Sequence, residues 1–454
     1  MAERKVTRRE LLRKAGVGAA AIGVAGGSGA GKAFGFYGPL RFKDRQFKNS
    51  LSILQWVHFV PDYDKWLDGT WIPQWEQKND CQVTIDHINN TELSARAASE
   101  VAAQSGHDLF MFLNPRADLE DQVINHKEIV QEVSQKVGKI GDLAYKSTYN
   151  PKTKKYHGFS DGFVPDPVIW RHDLWNDIGE SPATWDHVLK AAPKLKANGH
   201  PIGIGLSNEL DSDMALIALM QCFGAFIQNE HNQVTIKSKN TVAALSYMKA
   251  LWQAGETDEV FGWNPSSNNT YLYSGKASMI LNAISATRTP EDLGLPFANN
   301  IWLWPIPTGP HGRLGLEHVM GVYVIWKFAK NKDQAKRYLA DMEVNYQQHF
   351  TNSKFYNFPS WPGAVKNIQH QLAQDAHKPH GKYTVLGKIA SKYTYNVGYP
   401  GFSNAAISEI FNTYLIPAAF AQVAQGKMSA ADAASSMDTQ FKTIYRKWKA
   451  AGKL

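Results

Sequence analysis

Three side chains with the chemistry to hold a small polar ligand follow directly on apolar runs. Trp56 and His58 close Leu51-Ser-Ile-Leu-Gln-Trp-Val57, and Asn114 closes His107-Asp-Leu-Phe-Met-Phe-Leu113. An indole or imidazole face packs against C–H groups, and a planar amide both donates to and accepts from hydroxyls. Catalytic and metal signatures are missing. The chain has neither a His-Glu-x-x-His pair nor a Cys-x-x-Cys pair, and no Gly-x-Ser-x-Gly elbow. His377 and His380 flank Lys378-Pro379 in a polar stretch that reads as an exposed loop. Gly26-Gly-Ser-Gly-Ala-Gly-Lys32 has the spacing of a phosphate-binding loop, but Ala33 stands where the Mg²⁺-binding Ser/Thr belongs, and no strand precedes it.

That glycine run belongs to an N-terminal address. Arg8-Arg9 stand before Leu11-Leu12 and Arg13-Lys14, and a weakly apolar Gly/Ala stretch runs from Ala15 to Ala30. The pattern is similar to a twin-arginine export signal over residues 1–33, which implies a folded protein delivered to the periplasm. The formal charge of +8 is concentrated there. Seven basic and two acidic residues in 1–33 give +5, which leaves +3 for the remainder. With no basic block interleaved with aromatics, nucleic acid is not an expected partner. No other run reaches the roughly 18 apolar residues that span a bilayer. Cys81 and Cys222 are the only cysteines, too few for a disulfide framework.

At 454 residues the chain exceeds one ordinary core, so two domains are expected. Runs at Leu51–Val57, Gln82–Asp86 and His107–Asn114 alternate with helical patterns at 66–78, broken near Pro73, and at Thr91–Ser105. That order predicts a parallel α/β sheet, and ligands bind beyond the carboxyl ends of such strands. The stretch from Tyr156 to Ala192 is rich in Gly, Pro and aromatics. It reads as an extended crossing into a second lobe, with Val168-Ile-Trp170 as a strand and Thr184 capping a helix whose N3 residue is His187. Ile301-Trp-Leu-Trp-Pro-Ile-Pro307 is a second proline-bounded crossing.

Several pieces taken in order resemble the sugar-binding, maltose-binding-protein-like group of extracellular solute-binding proteins that serve ABC importers. They include Trp75-Glu-Gln-Lys78, Ser105-Gly-His-Asp-Leu-Phe110 and Tyr156-His-Gly-Phe159. Further along come Val168-Ile-Trp-Arg-His-Asp-Leu-Trp175, Pro182-Ala-Thr-Trp-Asp-His-Val-Leu189, Leu272-Tyr-Ser-Gly-Lys-Ala-Ser-Met-Ile280, Pro305-Ile-Pro-Thr-Gly-Pro310 and Gly426-Lys-Met-Ser-Ala-Ala-Asp-Ala433. The resemblance implies an α/β, two-lobe periplasmic-binding-protein fold (type II) with a hinge. Lobe 1 would be 50–163 plus 305–342, and lobe 2 would be 164–304 plus 343–454. Cys81 and Cys222 then fall in different lobes, so both are expected to be free and mostly buried.

The resemblance places the first-lobe ligand contacts at Trp56, His58 and Asn114, and a ligand-facing polar residue at Asp161 in the first crossing. Asn208 and Asp211 follow the Ile202–Leu206 strand, and Asn282 and Arg288 follow the strand through Met279. Glu317 and His318 occupy the turn before the Gly321 strand. Tyr399 and Asn404 lie before a late helix, and Trp263 and Trp361 are loop aromatics able to stack on a ring. The implied function is non-catalytic capture of a carbohydrate or polyol, without a cofactor or metal, by a monomer that delivers it to ABC permease subunits. The alternatives are a secreted enzyme acting on a carbohydrate or cofactor-bearing substrate, or a binding protein for a non-sugar solute.

Overall fold

In the computed structural model, residues 46–454 are described, apart from the His318 side chain. The expected export signal therefore lies outside the described residues. Among the described residues thirteen strands form: β1 Asn49–Trp56, β2 Cys81–Ile88, β3 Leu109–Phe112, β4 Tyr149–Asn150, β5 Lys155–Tyr156, β6 Phe159–Pro165, β7 Val168–Arg171, β8 Ile202–Gly203, β9 Met279–Leu281, β10 Ile301–Trp304, β11 Gly315–Ile325, β12 Phe358–Pro359 and β13 Thr394–Tyr395. Two sheets carry the fold. The first runs β12-β6-β11-β3-β1-β2, with β13 on β11, and the second runs β10-β7-β9-β8.

The expected parallel pairing holds where helices connect the strands. β1 lies parallel to β2 (Ile53 opposite Ile85) and to β3 (Ile53 opposite Leu109). A parallel pair needs a crossover, and the Ile72–Asn79 and Leu93–Ala103 helices supply it. The sheet as a whole is mixed, because β11 enters antiparallel to both β3 and β6. The break expected near Pro73 appears one turn earlier as a π-helical turn, Leu67–Trp71, and Pro73 sits in the first turn of the next helix, where its missing N–H costs nothing.

β6 ends at Pro165 and β7 begins at Val168, so Asp166-Pro167 carries the chain from the first sheet into the second. The Thr184 hydroxyl accepts from His187 N–H at 3.1 Å, as the capping pattern predicts. Leu303 of β10 pairs with Ile169 of β7, which places the two proline-bounded crossings side by side.

The expected boundary at residue 343 is corrected by the packing. Tyr346, Phe350, Phe358, Trp361, Leu372, Tyr383, Leu386 and Ile389 all join the hydrophobic cluster that holds β1, β3 and β11 and reaches Ile169, Ile280 and Ile301 of the second sheet. The chain rejoins the second core only from Val397 onward. The cause is visible in β12, where Phe358 pairs with Phe163 and draws this segment against the first sheet. Cys81 is buried in the first core and Cys222 in the second, both free, and burial pushes each thiol up to about 11. Among the described residues no helix is long and apolar enough to cross a membrane.

Candidate functional site

The carboxyl end of β1 carries an aromatic cluster. The Trp56 ring lies 4.9 Å from His58 and 6.4 Å from Tyr356, and Tyr356 meets His58 edge-on at 4.9 Å. Val60 N–H donates to His58 Nδ1 at 2.9 Å, which leaves the ring proton on Nε2, 3.2 Å from Asn357 Oδ1. Burial lowers the imidazole to about 4, so His58 is neutral at physiological pH and acts as a flat, partly apolar wall.

Facing this cluster is the start of the Leu210–Cys222 helix. Glu209 caps it, accepting from Asp211 N–H at 2.8 Å and from Ser212 N–H at 2.5 Å. Burial, reinforced by the Asp211 charge, pushes Glu209 up to about 8. Asp211 accepts from Asn268 Nδ2 at 2.8 Å and Asn282 Nδ2 at 3.5 Å, and Asn282 also bonds Asn269. One hydrogen bond joins the first-sheet residues to the second core. Asn114 at the end of β3 donates to Asn412 Oδ1 at 3.2 Å. Burial holds the Tyr356 phenol well above its usual range, and the Asp211 and Asp166 charges add to the rise.

The expected contacts therefore divide. Trp56 and His58 stand with Tyr356 in the aromatic cluster, Asp211 and Asn282 share the network capped by Glu209, and Asn114 reaches Asn412. Trp263 lies at the seam between the two sheets, half-buried against Tyr271 at 5.2 Å and touching both cores. Asn208 is exposed beside the capping turn. Glu317 is buried on β11 opposite Pro165, where it accepts from Val397 N–H at 3.1 Å. It thereby binds two crossings together, and burial holds its carboxyl well above the usual range. The side chain of His318 lies outside what is described.

Four of the expected contacts serve the fold instead. Trp361 is fully buried, stacked on Phe159 at 4.9 Å and donating to Ser134 Oγ at 3.0 Å, so it is a core residue of the first lobe. Arg288 is consumed by an ion cluster, with Glu291 at 3.0 Å, Asp375 at 2.8 Å, the Lys354 carbonyl at 2.9 Å and the Tyr383 ring 3.7 Å below its guanidinium. Asn404 caps the Ala405–Asn412 helix, accepting from Ala406 and Ile407 N–H at 3.0 Å, and its amide donates to Gln228. Tyr399 packs on Tyr395 at 4.4 Å.

Asp161 points away from the seam, into the first lobe. Its Oδ1 lies so close to Gly321 that a Cβ at that position would stand 2.2 Å from it. Burial raises this carboxyl to about 7. A carboxyl raised in the folded state stabilises most below its unfolded pKa, and that contribution is lost as pH climbs toward the folded value. Asp161→Asn is therefore expected to gain stability relative to the parent protein, by a few kcal/mol, between about pH 4 and pH 7. Urea unfolding of both proteins across that range measures it, and a constant difference would show that Asp161 is not held protonated.

The sequence reading missed Tyr356 and Asn357. Their signal was the dense run Phe355-Tyr-Asn-Phe-Pro-Ser-Trp361, whose last aromatic drew attention in place of the second. Elsewhere, a groove of about 520 Å³ beside Tyr445, Lys442 and Asp438 lies on the outer face of the second lobe and shares no residue with the seam. Among the described residues no group of three or more His, Cys, Asp or Glu side chains is arranged to hold a metal ion.

Comparison with known proteins agrees with this architecture. A binding protein of Brucella abortus (strain 2308) is 25% identical over 195 residues, which is 41% of this chain. The match spans just under half, 46%, of that relative's length. The maltose-bound MalE3 of T. maritima superposes with a TM-score of 0.72 at 18% identity, covering 87% of this chain and 99% of that one. An ABC transporter solute-binding protein of Thermotoga lettingae bound with alpha-D-tagatose gives 0.73 at 13% identity, covering 88% and 100%. These structures share the two-lobe fold. The profile of bacterial extracellular solute-binding proteins matches residues 61–343, more than half of the chain, and the protein belongs to that family.

Proposed function

We propose that the protein captures a carbohydrate or polyol between its lobes and hands it to the permease of an ABC importer, without catalysing a reaction. The observation that carries this reading is the composition of the seam. Aromatic rings at Trp56, His58 and Tyr356 cluster at the end of β1, and Asp211, Asn268 and Asn282 form a carboxylate–amide network at the start of the Leu210–Cys222 helix. Sugar C–H faces pack on rings, while sugar hydroxyls bond planar acceptors and donors. The maltose and tagatose complexes of the similar structures support the same ligand class.

The three connections between the lobes, at 165–167, 305–314 and 393–397, form the hinge. A ligand touching both faces stabilises the closed arrangement by the contacts that it makes only there. The family's extracellular setting and the twin-arginine pattern support export to the periplasm, where a monomer would meet its permease. Thermal unfolding with maltose, D-tagatose, ribitol and spermidine tests the ligand class. At about 100 times Kd a bound sugar or polyol adds about 2.7 kcal/mol and raises Tm by several degrees. A response to spermidine alone would replace the carbohydrate reading with a non-sugar one.

A further inference from the structure

The turn after the Tyr346–Asn352 helix is built in a costly conformation. Lys354 has φ 53°, an ordinary left-handed helix terminus, but the next residue, Phe355, has φ 68°. A bulky side chain in that region is rare, and such strain persists only where the surroundings over-determine it. Here they do. The Lys354 carbonyl accepts from Arg288 at 2.9 Å, and the Lys354 ammonium reaches Asp62 at 2.8 Å and Asp292 at 3.0 Å. Phe355 N–H closes on Phe350 O at 3.0 Å, and Asn357 N–H on Ser353 Oγ at 3.1 Å.

The turn delivers Tyr356 to the seam. Its side chain is fully buried between the rings of His58 and Trp56, yet its hydroxyl has no hydrogen-bond partner among the described residues. A buried hydroxyl left unmade costs free energy that folding alone gives no reason to spend. Burial holds the phenol well above its usual range, the Asp211 and Asp166 charges add to the rise, and Asp211 stands on the Leu210–Cys222 helix of the second core.

We infer that Tyr356 is a specificity-determining ligand contact, whose phenol bonds a ligand hydroxyl that Asp211 holds from the opposite lobe. The inference rests on the carbohydrate reading and deepens it. One hydroxyl gripped from both lobes is satisfied only when the cleft is closed, so the contact couples recognition to closure. It also discriminates, because a ligand lacking that hydroxyl leaves the phenol unmatched.

The test is calorimetric titration of maltose, D-tagatose and ribitol into the whole protein and its Tyr356→Phe variant, with Tm of each without ligand. Wild type is expected to bind at least one of the three, and the variant to bind it about tenfold more weakly. Ligand-free Tm should stay level or rise slightly, since the hydroxyl makes no bond within the fold. Equal or tighter binding by Tyr356→Phe overturns the inference and leaves the carbohydrate reading standing. A drop in ligand-free Tm with unchanged affinity assigns the phenol to the fold and also overturns it. If wild type binds none of the three, the carbohydrate reading and this inference fall together.

Discussion

Replacing Arg288 by alanine is expected to cost about 3–5 kcal/mol of stability, the usual consequence of removing one partner from a buried ion pair. The side chain is only 3% exposed and serves Glu291, Asp375 and the Lys354 carbonyl at once. Lys382 also pairs with Glu291, so the loss of the guanidinium leaves Asp375 with only the His377 imidazole beside it and disturbs a second pair. The cluster fastens the Ser285–Asp292 helix, beside the second sheet, to the 354–383 segment of the first core. Chemical and thermal unfolding should therefore show a loss in both lobes, with Tm lower by roughly 5 °C or more. A stability change under about 1 kcal/mol, accompanied by weaker ligand binding, would restore Arg288 to the cleft.

The second large effect is on binding. Asp211→Asn keeps the shape of the side chain and removes its charge, and ligand affinity is expected to fall about 10- to 100-fold. That range follows from the ~1.5–3 kcal/mol worth of a hydrogen bond to a charged group. The Asn268 amide already donates to Asp211, so a second amide in its place also forces that network to rearrange. Glu209 should respond as well. Its carboxyl is held up to about 8 by burial and by the neighbouring Asp211 charge, and removing that charge lowers it. Titration calorimetry reads the first effect and the pH dependence of binding reads the second. Unchanged affinity at every pH would place Asp211 in a structural role only.

Much of the frame was legible in the sequence because local patterns decide it. Apolar runs ending in polar residues marked β1, β3 and β9, and Pro165, Pro167, Pro305 and Pro307 marked the crossings, since proline can neither continue a helix nor donate to a ladder. Thr184 announced its helix for an equally local reason. The site was less legible because a strand end states where a side chain starts and says nothing about what reaches it. Trp56 and His58 share one aromatic cluster, and Asp211 and Asn282 share one hydrogen-bond network. Asp161 and Trp361 have the same residue chemistry but turn inward, because Gly321 opens space for one and Phe159 offers a ring to the other.

The sequence by itself determined that this chain alternates strands and helices, crosses twice through proline-bounded segments and sets aromatic and amide groups at strand ends. These follow from residue types over a few positions. Only the tertiary structure decided that residues 346–389 pack with the first lobe, through the pairing of Phe358 with Phe163. It alone turned Arg288 from a ligand contact into an ionic clasp, because Asp375 and Tyr383 lie some 90 residues away in sequence. It alone brought Tyr356 between Trp56 and His58, opposite Asp211. Burial and charge are properties of neighbours, and those neighbours come from distant parts of the chain.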